Sequence, residues 1–159
     1  MSLKKKLQQF FKKFAQEVFF LIYGKITIKK DYNFLDQNSL NKIDPMIIDN
    51  IRYNCFTITN GRIYTDLVEN VAIISNNILI PGACFQKING NLVNEKSNIC
   101  LKKGTPRIKV RKNGKLLALI QDASENNYSH WLLDILPRIK IFEENNSIEQ
   151  IDHLSLIHI

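Results

Sequence analysis

The segment Asn126-Asn127-Tyr128-Ser129-His130-Trp131-Leu132-Leu133-Asp134-Ile135-Leu136-Pro137-Arg138 gathers the residues of this chain best suited to chemistry. It places the only tryptophan beside a histidine. His130, Asp134 and Arg138 follow at i, i+4 and i+8, and on an α-helix the first two share a face one turn apart. Pro137 decides whether Arg138 continues that row. A neutral imidazole has a pKa near ~6.5 and can take a proton from a hydroxyl at neutral pH. A carboxylate one turn away can orient the ring or stabilise its charged form. A helix N-terminus also favours a phosphate nearby. General-base catalysis and diphosphate binding therefore both fit. So does a structural role, with His130 satisfied by Asp134 and Trp131 in a core. The residues alone leave these open.

The elements that must position this segment are legible around it. Residues 116–121 read as a strand and 123–127 as a polar loop. Residues from Tyr128 to about Asn145 read as a helix with Leu132, Leu133, Leu136, Ile139 and Phe142 as its apolar content. Ser124 or Asn127 could cap it, and Pro137 should kink or divide it. A turn at Ser147–Gln150 and a strand from His153 to Ile159 complete one βαβ-like step. In α/β folds ligands sit where such a helix begins. A parallel sheet needs covering helices and further strands. A chain that stops inside an apolar strand is therefore expected to be the N-terminal part of a longer protein.

Upstream, residues 52–121 have the texture of antiparallel hairpins. Asn60-Gly61, Asn89-Gly90 and Asn113-Gly114 stand between apolar runs, and Asn-Gly suits a type I′ turn because both central residues need positive φ. Ser75-Asn76-Asn77 is a fourth turn candidate. The expected strands are Cys55–Thr59, Arg62–Thr65, Val71–Ile74, Ile78–Ile80, Cys84–Ile88, Leu92–Asn94, Ile108–Arg111 and Leu116–Gln121. Residues 31–50 say little, although Asp44-Pro45 looks like the start of a helix or turn. The organisation is thus a helical arm over residues 1–30, a hairpin-rich region over 31–121 and the start of an α/β domain over 122–159.

The arm carries the charge. The chain's formal net charge is +7, and residues 1–30 supply all of it through eight lysines and Glu17. The rest balances, with 14 basic and 14 acidic residues. Nucleic-acid binding by the body is not supported, because phosphate binding needs a basic face on the folded part. Residues 3–23 read as a helix stopped at Gly24, with Leu3, Leu7, Phe10, Phe11, Phe14, Val18 and Leu21 at three- and four-residue steps. Such a helix can lie on an anionic membrane, where each lysine contributes about 1 kcal/mol. It can equally pack on its own domain with its lysines in water. The spacing does not separate the two. The run Val18–Tyr23 is too short to cross a bilayer, and Gln16 and Glu17 interrupt any signal-peptide core. Cys55, Cys84 and Cys100 are odd in number and contain no CxxC pair, which suits free thiols in a reducing compartment better than disulfides or zinc.

The run Asn127-Tyr128-Ser129-His130-Trp131-Leu132-Leu133-Asp134-Ile135-Leu136-Pro137-Arg138 resembles the N-Y-x-H-W-L-L-D-x-L-P-R segment of the family 61 glycosyltransferases. That family includes bacterial capsular-polysaccharide biosynthesis proteins and eukaryotic xylosyl- and N-acetylglucosaminyltransferases. The likeness extends more weakly over residues 50–145, through Asn60-Gly61-Arg62-Ile63 and Ile73-Ile74. It implies a hairpin-rich region leading into the first Rossmann-like half of a GT-B-type enzyme. It implies inverting transfer from a nucleotide sugar to a cell-surface or capsular glycan. His130 would then be catalytic or at the acceptor site, with Asp134 as its partner. Asn127, Tyr128, Trp131 and Arg138 would be supports or substrate contacts. No metal cofactor is expected, since the chain contains no Asp-x-Asp. Family members are considerably longer, so the chain by itself is expected to be inactive. The expected location is cytoplasmic, at the inner face of the plasma membrane. The competing reading is a non-enzymatic β-rich module docked to a membrane or partner by its basic helix.

Overall fold

Ser2 opens the first helix in a computed structural model of the chain, which describes residues 2–28, 42–48, 50–67, 70–119, 128–144 and 146–155. The Ser2 hydroxyl accepts the Lys5 N–H at 3.4 Å, satisfying one of the donors a helix leaves open at its start. Helix α1 (Leu3–Tyr23) ends where the sequence places its stop: Gly24 takes φ 77° and its N–H donates to the Phe20 carbonyl. No residue of α1 is buried. A two-residue strand, β1 (Thr27–Ile28), follows directly.

Strands β2 (Lys42–Ile48) and β3 (Ile51–Thr57) form a separate antiparallel ribbon that turns at Asn50, φ 63°. This corrects the expectation of a helix or turn start at Asp44-Pro45. Pro45 pairs in register with Asn54. A two-stranded ribbon has a free edge on each strand, so a residue without an N–H is tolerated there.

The main sheet is built around β5 (Asn70–Ser75), which is almost wholly buried. β4 (Arg62–Leu67) runs antiparallel along one side of β5, with an irregularity between Thr65 and Leu67. On the other side β6 (Ile78–Leu79) pairs with its end and β7 (Phe85–Ile88) with its beginning. β8 (Asn91–Leu92) extends β7, and β1 adds in parallel to β6. Ile26, Tyr64, Ala72, Ile74, Leu79 and Cys100 form the core of this unit. Cys100 comes from helix α2 (Ile99–Lys103), capped by the Asn98 side chain.

Two of the four expected hairpins close as read. Asn76 and Asn77 (φ 48° and 60°) join β5 to β6, and Asn89 and Gly90 (φ 52° and 78°) join β7 to β8. The other two do not. At Asn60-Gly61 only Asn60 has positive φ, and the flanking strands β3 and β4 enter different sheets. At Asn113-Gly114 only Gly114 does, at 103°. Residues 108–111 form no strand, and β9 (Leu116–Ala118) pairs elsewhere.

Its partner is β10 (His153–Ser155), in parallel, with His153 opposite Leu116. Between them runs a continuous helical stretch: α3 (Tyr128–His130), a π-helical turn (Trp131–Ile135) and α4 (Leu136–Glu143). A 3-10 turn at Ile148–Gln150 leads into β10. The βαβ step read from the sequence is therefore present. The expected reach of its second strand to Ile159 lies outside the described residues. The architecture is mixed α/β.

Candidate functional site

The conspicuous segment lies along the helix of the βαβ step. Its centre is widened into a π turn directly before Pro137. Proline has no N–H to give to the carbonyl four residues back, and its ring would strike that carbonyl in a regular α-helix. Loosening the preceding turn lets the run pass through Pro137. Turns of this kind are frequent at functional sites. The expected kink or division is thus realised as a change of helical pitch.

The turn divides the segment into two rows. Trp131, Ile135, Ile139 and Phe142 point inward, with Ile135 fully buried and the other three half-buried. Asp134 borders that row and is half-buried, while Arg138, one turn on, is exposed. Tyr128 is 75% exposed and Ser129 exposed. His130 ends α3, one turn before Asp134 along the helix; its side chain lies outside the described residues, as does all of Asn127. The candidate caps Ser124 and Asn127 lie there too. The structure thus brings Asp134 and Arg138 to one edge of the helix. It gives Trp131 a place in the packing.

The turn after β9's upstream loop is held by β10 rather than by a hairpin partner. The Asp152 carboxylate accepts the Lys115 N–H at 2.7 Å. A side chain on Gly114 would collide with Asp152. The His153 ring meets the Asn113 carbonyl at 2.9 Å. His153 therefore fastens the turn to the incoming strand. These contacts fix where β9 begins, beside the start of β10.

A second polar cluster was not singled out from the sequence. The half-buried Arg62 donates from Nη2 to Asn77 Oδ1 at 3.1 Å, while its Nε and Nη1 are buried without a hydrogen-bond partner. Burial lowers its pKa, with Cys100 and Tyr23 acting in the opposite direction. The Lys109 ammonium lies 4.0 Å from the centre of the Tyr23 ring, and its backbone N–H donates to Tyr23 Oη at 3.2 Å. Its pKa is lowered by desolvation and then by Arg62 and Arg111. The available signal was strand alternation: Arg62 is two residues from the core residue Tyr64 and shares its face.

None of Cys55, Cys84 and Cys100 forms a disulfide among the described residues. Burial pushes the Cys84 thiol up to about 12, and Cys84 Sγ sits 3.0 Å from the Ile80 carbonyl, so it is a poor nucleophile at neutral pH. Among the described residues no group of three His, Cys, Asp or Glu side chains is arranged to hold a metal, and no helix is long and apolar enough to cross a membrane. No protein-family model, curated protein or solved structure matches this chain.

Proposed function

We propose that this chain carries the acceptor-side part of an inverting sugar transferase of the family 61 type, acting on a cell-surface or capsular glycan with a nucleotide sugar as donor. The observation that carries the reading is the place of the run 128–138: it opens the crossover helix between two parallel strands. That is where α/β folds expose backbone donors and side chains to ligands. The first half of a Rossmann-like GT-B architecture is part of the same proposal.

In the proposed reaction the acceptor hydroxyl attacks the anomeric carbon as the bond to the nucleoside diphosphate breaks. A base takes the hydroxyl proton. His130 is assigned that task, with Asp134 orienting the imidazole and stabilising its charged form. Tyr128 and Arg138, both exposed, are assigned to substrate; Arg138 would meet a phosphate or a sugar hydroxyl. Asn127 is assigned beside them, and Trp131 supports the helix. No step calls for a metal. The proposed location is the cytoplasm, at the inner membrane face.

The test is release of nucleoside diphosphate from a panel of nucleotide sugars by the full-length protein that contains this chain, in the presence of glycan acceptors. His130→Ala should lower turnover by about 10²-fold or more. Asp134→Asn should lower it less and shift the acid limb of the pH profile. Unchanged turnover in His130→Ala, or no binding of any nucleotide sugar at millimolar concentration, would sink the reading. The second reading, a non-enzymatic module held by its N-terminal helix, draws on the outward apolar face of α1 and predicts that second outcome.

A further inference from the structure

Helix α1 is attached to the body by the wrong face for a helix that merely packs on its own domain. Counting about 100° per residue, Leu3, Leu7, Phe10, Phe14 and Leu21 fall within a stripe about 60° wide, which Phe11, Val18 and Ile22 widen to about 120°. The contacts to the body come from the opposite side. Gln16 Nε2 donates to the Lys102 carbonyl at 2.8 Å. The Phe20 ring fills the space over Gly104, where a Cβ would sit 2.6 Å from it. Tyr23 takes the Lys109 N–H and lies under its ammonium. The apolar stripe therefore points away, with Phe10 65%, Phe14 60% and Leu21 87% exposed.

We propose that α1 is a membrane-surface anchor: its outward apolar stripe inserts into a lipid bilayer bearing anionic headgroups while its opposite face holds the body. Charge selects this occupant. Five lysines and one acid, Glu17, lie in α1, with Lys4 at one edge of the stripe and Lys6 and Lys13 near the other. Long lysine stems can keep their ammonium groups at headgroup level beside a buried apolar face. Lys4, Lys5 and Lys6 also crowd the first turn, which contains no acid. Cations at the positive end of a helix dipole are unfavourable in water, and an anionic surface relieves that. A second copy of α1 seated on the stripe would set lysine against lysine. The proposal is independent of the sugar-transferase reading, because its test needs no turnover.

The experiment is co-sedimentation of the full chain with phosphatidylcholine vesicles, with and without phosphatidylserine. Binding should require phosphatidylserine and weaken with added salt. Lys6→Gln with Lys13→Gln, the pair near one edge of the stripe, should weaken it about 25-fold, at about five-fold per lysine. Phe10→Ser with Phe14→Ser should abolish it, with an unchanged circular dichroism spectrum. Equal binding to both vesicle types, or none to either, overturns the proposal. So does a dimer in ultracentrifugation that the Phe10→Ser/Phe14→Ser pair dissolves without any vesicle binding.

Discussion

Two amphipathic helical stretches of this chain use their apolar faces in opposite directions. In the run Tyr128–Glu143 the row Trp131, Ile135, Ile139, Phe142 turns inward, and Ile135 is fully buried. In α1 the apolar stripe turns outward and nothing is buried over 21 residues. Both were legible as helices from three- and four-residue spacing. Spacing defines a face, though, and not what that face meets. What it meets depends on the rest of the body. Strands β9 and β10 bracket the second stretch and fix its position, whereas among the described residues α1 is held toward its C-terminal end, by Gln16, Phe20 and Tyr23. The charge pattern separates the two as well, because α1 carries Lys4, Lys6 and Lys13 at or near the edges of its stripe.

The sharpest way to break this contrast is in the inward row. Ile135→Ala removes a side chain with no exposure and leaves a cavity, which should destabilise the protein by about 3 kcal/mol. Urea unfolding followed by circular dichroism measures it. A loss under about 1 kcal/mol would mean that the row is solvated and that both stretches expose their apolar faces.

The seating of α1 is probed next. Gly104 has φ +65° and lies under the Phe20 ring. Gly104→Ala adds backbone strain and a collision at once, together about 2 kcal/mol. The loss should be local: amide resonances of Phe20, Tyr23 and Lys109 should shift, while those of 131–142 stay in place. Shifts spread evenly over both regions would show that α1 and the βαβ step are not independently seated.

How far the sequence carried each region follows from which interactions are local. Helix α1 from Leu3 to Gly24 and the hairpins at Asn76-Asn77 and Asn89-Gly90 were readable, since periodicity and left-handed φ are properties of a few neighbouring residues. The parallel pairing of β9 with β10 was implied by a strand, a helix and a strand in succession. Asn113-Gly114 misled because its fate is decided by Asp152 and His153, about forty residues on. Asn60-Gly61 misled because its flanks join different sheets. The strand Lys42–Ile48 was hidden by Pro45, which reads as a breaker unless a free edge is known to be available. At the candidate site, the i, i+4 spacing of His130 and Asp134 was visible. The π turn over Trp131–Ile135, ahead of Pro137, was not.

The smallest expected effect is the most diagnostic for α1. Phe14 is 60% exposed on the outward stripe, and phenylalanine and serine have similar helix propensities. Phe14→Ser should therefore change stability by less than about 0.5 kcal/mol, as surface substitutions do. The measurement is thermal or urea unfolding of the full chain without lipid, beside Gly104→Ala as the reference for a disturbed docked face. If Phe14→Ser cost as much as Gly104→Ala, the stripe would be covered by the protein itself in solution, and the contrast between the two helices would vanish. If it costs nothing in buffer yet weakens vesicle binding, the phenylalanine is retained for a partner outside the fold. A core residue could not give that pair of results, because its removal registers in buffer first.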